Sequence, residues 1–261
     1  MDAVSRTLYI PLYGKALVIR KGLFLHDPMA ERIWAAEGFS LKGKSASKWL
    51  AYYMGIRAAV FDDWVRRRMD EEPEAVVLHI GCGLDSRAQR VGTRGQKWYD
   101  LDFPQVIRER KRYFAESEDY RMLSGDALER KWLEEIPEQG SAIVVMEGVS
   151  MYLPPEGMSA LLRNLAGHFE RVHLLMDCYT VFAAKASRYR NPINDVGVTQ
   201  VYGIDDPLVF QREGFRFVTE HPMTPQSFID RLTGMEKAVF QRLYAGKLSE
   251  KLYRLFEYRK Q

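Results

Sequence analysis

The residues best suited to holding a ligand form a short turn that follows an apolar run. Residues 75–80 are almost entirely apolar, and they lead into Gly81-Cys82-Gly83-Leu84-Asp85-Ser86-Arg87. Two glycines at the end of a buried strand let the backbone adopt positive φ and approach a ligand closely. Ligands of open α/β sheets bind at the carboxyl ends of the strands. Because Gly-x-Gly also occurs at other tight strand-to-helix turns, the residues that follow must indicate the ligand.

Asp85 and Ser86 favour S-adenosylmethionine (SAM), a methyl donor, over a dinucleotide. A dinucleotide fingerprint has Gly or Ala at its sixth position, where this chain has Ser86. An acidic side chain beside a pyrophosphate would be electrostatically unfavourable, whereas SAM has no phosphate and carries an ammonium group. Gly81, Cys82 and Gly83 are therefore predicted to contact SAM. Asp85 could contact the ligand as well, or it could only be the N-cap of the next helix.

Two aspartates end the next apolar run, and either could bind a ribose. Asp100 and Asp102 flank Leu101, so both side chains are expected on one face of a strand. A carboxylate there can accept hydrogen bonds from both ribose hydroxyls, each worth roughly 1.5–3 kcal/mol. The alternative is that the acid only caps a helix expected to start at Pro104.

Three more polar positions could complete the site. Asp126, together with the backbone amide of Ala127, could read the adenine edge after a third strand. Glu147 follows a fully apolar run, where an unpaired carboxylate would be costly, so we expect a partner such as the ammonium of SAM. Arg57 lies on the apolar stripe of a predicted helix and needs a counter-anion. That anion could be the SAM carboxylate or the acid of a structural salt bridge.

A sheet whose strands alternate with helices is expected to position these residues. Short apolar runs predict strands at 75–80, 97–99, 120–123, 142–146 and 172–176. Near-continuous apolar strands between helices are typical of a parallel sheet that is buried on both faces. We therefore predict an α/β fold of the class I SAM-methyltransferase type, with a Rossmann-like, mostly parallel sheet, one reversed edge strand and an N-terminal helical cap.

The whole chain, 1–261, is expected to form one SAM-dependent methyltransferase domain with three regions. Residues 1–72 are predicted to form the helical cap, with its clearest helix at Ser47–Met69, and residues 73–177 the cofactor-binding core. Residues 178–261 should supply a substrate loop and close the sheet. The elements expected there are a loop at 187–202, a helix at 206–213, a strand at 215–218, a helix at 225–243 and a strand at 252–258.

The bulk composition argues against several other classes of protein. The 38 basic and 35 acidic residues are too balanced to indicate a nucleic-acid partner. The two cysteines are far apart and no Cys–His spacing suits a metal, so neither a disulfide framework nor a metal site is expected. No apolar run reaches the ~18–20 residues of a membrane span, and no signal-peptide pattern opens the chain. We expect a soluble, cytoplasmic protein without a membrane partner.

With these residues in view, nearly the whole chain resembles the leucine carboxyl methyltransferase family, especially a bacterial branch that methylates polyketide carboxyl groups. The most specific segments are Gly83-Leu84-Asp85-Ser86-Arg87 and Glu147-Gly148-Val149-Ser150-Met151-Tyr152-Leu153. Supporting segments lie at 7–16, 26–28, 102–104 and 203–207.

The resemblance assigns roles to the predicted site residues. It implies that Lys15 and Arg57 hold the carboxylate of SAM and that Asp102, more than Asp100, binds the ribose. It also implies that Asp126 and Ala127 lie at the adenine and that Glu147 lies beside the methionine part of SAM. Ala127 departs from the family pattern, in which leucine is frequent, although a backbone contact tolerates that change.

Together, the residues and the resemblance predict a SAM-dependent O-methyltransferase acting on a carboxylate, or a hydroxyl, of a small molecule of polyketide type. Methylation of a protein C-terminal carboxylate and a non-catalytic SAM-binding sensor or scaffold stay open as alternatives. An ionised carboxylate needs no general base, so no catalytic residue is assigned. Tyr152 could face the methyl acceptor or be a core aromatic, and Arg188 could supply positive charge for an acidic acceptor.

Overall fold

The computed structural model describes residues 8–38, 41, 43–137, 140–190 and 200–261, with side chains except at 44, 188–190, 247 and 248. Within these residues, the chain begins with three helices: α1 (Tyr9–Arg20), α2 (Pro28–Glu37) and α3 (Lys48–Glu71).

The residues at the two ends of α2 explain why this segment forms a helix. The Asp27 carboxylate accepts a hydrogen bond from the Ala30 N–H at 3.1 Å, Pro28 occupies the first turn, and Gly38 ends the helix in the left-handed conformation. The predicted helical cap is confirmed.

The central sheet has seven strands in the described part of the chain. They are β1 (Val76–Ile80), β2 (Trp98–Asp102), β3 (Tyr120–Ser124), β4 (Ser141–Met146), β5 (Arg171–Tyr179), β6 (Arg216–His221) and β7 (Tyr253–Lys260). Their order is β3-β2-β1-β4-β5-β7-β6. The first five are parallel, whereas β7 is antiparallel to both β5 and β6. The predicted mostly parallel sheet is confirmed, and β7 is the reversed strand, with β6 outside it.

Helices cover both faces of this sheet. Those that follow the cap are α4 (Arg87–Val91), α5 (Pro104–Arg110), α6 (Pro155–His168), α7 (Val181–Arg190), α8 (Gln226–Ile229), α9 (Gly234–Leu243) and α10 (Lys247–Glu250). Because side chains alternate along a strand, Val77 packs in the core that contains Phe61 of α3, whereas Leu78 packs in the core that contains Leu161 of α6. The sheet is therefore buried on both faces, as its apolar strands predict.

The predicted loop at 187–202 is partly wrong. Residues 187–190 continue helix α7 instead of forming a loop. The side chain of Ser187 bonds to the Ala183 carbonyl one turn earlier at 2.7 Å, which a helix permits. Residues 191–199 of that loop, and the side chain of Arg188, lie outside the described residues.

Two predicted helices of the C-terminal region are also wrong in extent. Residues 206–213 form turns that end in a 3-10 helix at Gln211–Glu213, because the Asp206 side chain accepts the Leu208 N–H at 2.9 Å and competes with a helix. The expected helix at 225–243 is divided into α8 and α9, since Thr233 is extended, with φ −122° and ψ 158°. The single-domain division of the chain stays a prediction.

The carboxyl ends of the five parallel strands meet at one edge of the sheet. β1 is bonded to β2 on one side and to β4 on the other, so the order of strands reverses direction beside β1. Such a switch point leaves a crevice at the strand ends, where ligands of open α/β sheets bind. Gly81, Asp102, Asp126 and Glu147 all lie at or just beyond these strand ends.

Candidate functional site

The glycine turn after β1 has a backbone conformation that residues with a side chain rarely adopt. Gly81 has φ +68° and Gly83 has φ +53°. A Cβ at Gly81 would overlap Cγ2 of Val149, which follows β4. The Gly81 N–H donates to the Leu101 carbonyl at 2.8 Å, so the turn is anchored to β2. Both glycines thus let the turn lie flat against the strand ends.

A cavity of about 630 Å³ lies above this turn. Its lining includes ten of the eleven residues predicted for the site, namely Lys15, Arg57, Gly81, Cys82, Gly83, Asp102, Asp126, Ala127, Glu147 and Tyr152. The eleventh, Arg188, has its backbone in α7, but its side chain lies outside the described residues. The structure thus brings together in one cavity residues that are dispersed from position 15 to position 152.

Asp100 and Asp102 differ sharply in their surroundings. Asp100 is fully buried and pairs with Arg110, accepts from the Tyr120 hydroxyl at 2.6 Å and from the Trp98 indole at 2.8 Å. Burial would raise the pKa of Asp100, but the charge of Arg110 and the contacts with His79 and Tyr120 together lower that pKa to about 2. Asp100 is therefore part of the protein's interior and is absent from the described cavity lining.

Asp102, in contrast, faces the cavity. Its two oxygens accept the N–H groups of Gly83, at 2.7 Å, and of Phe103, at 2.8 Å. Burial raises the pKa of Asp102, because these amides compensate for the lost hydration only in part. The N-cap of α5 is Phe103, so Asp102 is not the helix cap considered for it. Each carboxylate oxygen can accept a further hydrogen bond, which suits a diol.

Asp126 and Ala127 lie in the loop after β3. Oδ1 of Asp126 accepts the Leu128 N–H at 2.9 Å, which forms a local turn and fixes the direction of the carboxylate. The Ala127 carbonyl accepts from the Trp132 indole at 3.4 Å. The loop therefore places one carboxylate and backbone groups on the β3 side of the cavity.

Arg57 and Glu147 form the centre of a buried ionic cluster. Nε of Arg57 donates to Glu147 at 3.1 Å, and one of its terminal nitrogens donates to Asp177 at 2.9 Å. Glu147 also pairs with Arg87. Burial would raise the pKa of Glu147, but Arg87 and Arg57 outweigh it and lower that pKa to about 2. The partner expected for Glu147 is thus present, and the structural salt bridge considered for Arg57 is present as well.

Asp85 belongs to the same cluster and is not a helix cap. The N-cap of α4 is Ser86, whereas the Asp85 carboxylate pairs with Lys15 at 2.8 Å and with Arg90 at 2.9 Å. Burial would raise the pKa of Asp85, but Arg90, Lys15 and Arg87 hold it well below its usual range. The capping alternative for Asp85 is therefore wrong. The pair with Lys15 connects helix α1 directly to the glycine turn.

Several members of this cluster were missed by the sequence reasoning. Arg90 pairs with Asp27, at 2.6 Å, and with Asp62, at 2.5 Å, and so connects α2 and α3 to the turn. Asp177 could have been predicted as a site residue, because it follows the apolar run 172–176 just as Glu147 follows 142–146. For Asp27 and Asp62 no such signal exists, since their partners are distant in sequence.

Neither the thiol of Cys82 nor the imidazole of His79, which both line the cavity, is suited to act as a nucleophile or base. Burial raises the pKa of the Cys82 thiol well above its usual range, so the thiol stays protonated. Burial and Arg87 lower the pKa of His79, whose Nε2 accepts from Arg87 at 3.1 Å. In the described chain, no group of three or more His, Cys, Asp and Glu side chains could hold a metal ion, and no helix there is long and apolar enough to cross a membrane.

The charged side chains of the cavity fit SAM better than a dinucleotide. The charged side chains in the described lining are two cations and four carboxylates, namely Lys15, Arg57, Asp85, Asp102, Asp126 and Glu147. A pyrophosphate would be repelled by this excess of negative charge, whereas SAM carries a sulfonium and an ammonium group against one carboxylate. The cations would suit that carboxylate, and Asp102 would suit the ribose.

Comparison with known proteins agrees with this geometry. The sequence profile of "Leucine carboxyl methyltransferase" matches residues 11–166. The chain is 32% identical to the tetracenomycin polyketide synthesis O-methyltransferase TcmP of Streptomyces glaucescens over 244 residues, which cover 92% of this chain and 90% of that protein. It is also 29% identical to the SAM-dependent methyltransferase dpfgK of Gibberella zeae, over 48% of this chain and 45% of that one.

Solved structures show the same fold at low sequence identity. Magnesium protoporphyrin IX methyltransferase from Synechocystis, solved with bound SAH, has a TM-score of 0.52 and 14% identity and covers 90% of this chain and 93% of its own. A provisionally named methyltransferase from Thermobifida fusca has a TM-score of 0.60 and 15% identity, covering 89% and 88%. With a profile match over more than half of its length and a relative above 30% identity, this chain belongs to the leucine carboxyl methyltransferase family and is a SAM-dependent methyltransferase.

Proposed function

We propose that this enzyme transfers the methyl group of SAM to the carboxylate oxygen of a small, flat, aromatic acceptor of polyketide type. The observation that carries the proposal is the arrangement of the cavity along the sheet. Its carboxylates lie at or after the ends of β3, β2, β1 and β4, whereas the next strands, β5 and β7, contribute Tyr179 and Tyr253. Strands are spaced by roughly 4.8 Å, so the two groups lie at successive positions along one crevice.

The polar part, which we name the cofactor end, is assigned to SAM. In this proposal Lys15 and Arg57 bind the carboxylate, Asp102 the ribose, and Asp126 with Ala127 the adenine. Glu147 lies beside the methionine part, and residues 81–83 provide close backbone contact. The support is that all of these residues line one cavity and that Asp102 has acceptor capacity directed into it.

The apolar part, which we name the acceptor end, is assigned to the methyl acceptor. Tyr179 and Tyr253 meet edge to face, with ring centroids 4.8 Å apart, and Tyr152 lines the same cavity. Helix α7 contributes Ala183 and Ala186, whose small side chains leave space for a broad ring system. Aromatic walls favour stacked or edge-on contact with an aromatic ligand.

Catalysis in this proposal depends on alignment and exclusion of water. Bound SAM supplies a methyl group that is already activated as a sulfonium. A carboxylate acceptor is ionised at neutral pH, so the chain needs no general base, which agrees with the neutral, Arg87-bonded state of His79. Holding the acceptor in a fixed pose within an apolar cavity can provide effective molarities of roughly 10⁵ M and above.

The test is a screen of acceptors with SAM, in which the mass of the product is read. The set contains aromatic carboxylic acids of polyketide type, the corresponding phenols and a peptide with a free C-terminal carboxylate. We expect methylation of an aromatic acid, and we expect alkali to remove the methyl group, since esters are hydrolysed and aryl ethers are not. An alkali-stable product would indicate a hydroxyl acceptor, and methylation of the peptide alone would overturn the small-molecule proposal.

A variant at each end of the cavity separates the two assignments. Ala186→Phe fills the acceptor end and should raise the KM for the acceptor by about ten-fold or more, given the cost of displacing a well-packed ring. It should leave the affinity for S-adenosylhomocysteine (SAH) unchanged, because Ala186 is on α7, which follows β5, whereas Asp102 ends β2. Equal loss of both affinities would contradict the division of the cavity into two ends.

A further inference from the structure

Tyr253 lies where the acceptor end and the cofactor end of the cavity meet. It is the first residue of β7, next to β5, and it lines the cavity. Its ring meets Tyr179 edge to face, with centroids 4.8 Å apart, and Tyr53 of α3 at 6.2 Å. Two neighbouring aromatic rings therefore hold the ring of Tyr253 on the acceptor side.

The hydroxyl of Tyr253 points to the opposite side, toward Arg57. It accepts a hydrogen bond from Nη1 of Arg57 at 3.1 Å, and the same nitrogen donates to Asp177 at 2.9 Å. Nε of Arg57 donates to Glu147 at 3.1 Å. Tyr253, Asp177 and Glu147 thus hold the guanidinium along two of its sides.

The remaining nitrogen of Arg57 is left for a ligand. Among the described residues, Nη2 of Arg57 has no hydrogen-bond partner, although the side chain lines the cavity. The guanidinium lies flat against Gly148, since a Cβ there would be 3.4 Å from both Nη1 and Nη2. A planar guanidinium that is fixed on two sides presents its last N–H groups in one direction only.

We propose that Tyr253 is a positioning residue, whose hydroxyl orients Arg57 toward the SAM carboxylate while its ring forms part of the acceptor wall. This inference rests on the proposed function, in which Arg57 binds that carboxylate. Because the ring contacts the acceptor and the hydroxyl holds Arg57, acceptor binding and cofactor binding are coupled through Tyr253. The coupling is reciprocal, as linkage requires.

The experiment measures SAH affinity by calorimetry in two variants that each remove one hydroxyl from β7. Tyr253→Phe should weaken SAH binding by about two- to ten-fold, the loss of one hydrogen bond to a charged group that keeps other partners. Tyr258→Phe is the control, because the Tyr258 hydroxyl is buried and has no hydrogen-bond partner in the described structure. It should bind SAH as the wild type does. Equal affinities of the two variants would overturn the inference.

Two further measurements separate this inference from its premise. Arg57→Lys should weaken SAH binding, and the double variant with Tyr253→Phe should be no weaker than Arg57→Lys alone, because the hydroxyl acts through the guanidinium. If Arg57→Lys binds SAH normally, the proposed role of Arg57 fails. If Arg57→Lys binds weakly but Tyr253→Phe binds normally, only the role of Tyr253 fails. Additive losses would also contradict positioning, and a matching fall in the Tm of Tyr253→Phe would indicate a merely structural role.

Discussion

Lys15 of helix α1 and Asp85 of the glycine turn form an ion pair of 2.8 Å whose side chains are only 4% and 7% exposed. The two residues are seventy positions apart, and the pair connects the helical cap to the segment that follows β1. Asp85 keeps two other cations, Arg90 at 2.9 Å and Arg87 at 3.4 Å. Asp85 would therefore keep two cationic partners without Lys15, and in the proposed function Lys15 also binds the carboxylate of SAM.

Replacing Lys15 should accordingly affect binding more than stability. We expect Lys15→Met to weaken SAH binding by about ten-fold or more, since a charge-assisted hydrogen bond is worth about 1.5–3 kcal/mol. Unfolding in urea should show a loss of only about 1–2 kcal/mol, less than for a buried acid left without any partner. Lys48→Met, which removes an exposed ion pair with Glu236, should change neither quantity measurably. Normal SAH affinity in Lys15→Met would contradict the assigned role.

Alanine substitutions at Gly81 and Gly92 separate the two costs of adding a side chain in place of glycine, namely steric overlap and backbone strain at positive φ. Both have positive φ, +68° and +82°, but a Cβ at Gly81 would overlap Val149 whereas one at Gly92 has no heavy atom within 4 Å. Gly92→Ala should cost about 1–2 kcal/mol of stability, from backbone strain alone. Gly81→Ala should cost more and should abolish SAH binding. Thermal melting and calorimetry of both variants provide the check, and similar behaviour would contradict a close approach at Gly81.

The stability of the protein should fall on acidification below about pH 5. The pKa of Asp100 and that of Glu147 are each lowered to about 2 in the folded state. Their stabilisation is therefore fully present above the unfolded pKa and is lost as pH falls toward the folded one. For Asp100 the contribution is about 2 kcal/mol, at about 1.4 kcal/mol per pKa unit. Asp177, whose pKa burial raises, acts in the opposite sense.

Urea unfolding between pH 7 and pH 3 measures this dependence. Asp100→Asn should be less stable than the wild type at pH 7, because Arg110 loses its buried partner. It should also lose less stability on acidification, since one titrating group is gone. An acid dependence as steep as that of the wild type would show that Asp100 does not contribute.

Much of the fold could be predicted from the sequence, because apolar strands and the apolar stripes of helices alternate along the chain. The five parallel strands and the acids at their ends followed from that pattern, and so did the need of Glu147 for a partner. The strand pattern could not separate Asp100 from Asp102, because alternation places both on one face of β2, and only the family resemblance favoured Asp102. They differ because Asp102 ends the strand, where the chain turns at Phe103 and the carboxylate reaches the cavity.

What could not be read was the pairing of charges across the fold. Arg90 is held by Asp27 and Asp62, which come from two different cap segments. No spacing in the chain relates these residues, since their contact depends on how α2 and α3 pack on the turn. The extent of α7 and the break between α8 and α9 depended likewise on single turns, such as the extended Thr233.

The most direct test of the central claim is a calorimetric titration of the wild type and of Asp102→Ala with SAM and with NADH. SAM should bind the wild type, and Asp102→Ala should bind it at least about ten-fold more weakly, because the two ribose hydroxyls lose their acceptor. Neither protein should bind NADH, given the four carboxylates against two cations in the described cavity lining. Binding of NADH by the wild type with no binding of SAM would contradict the account.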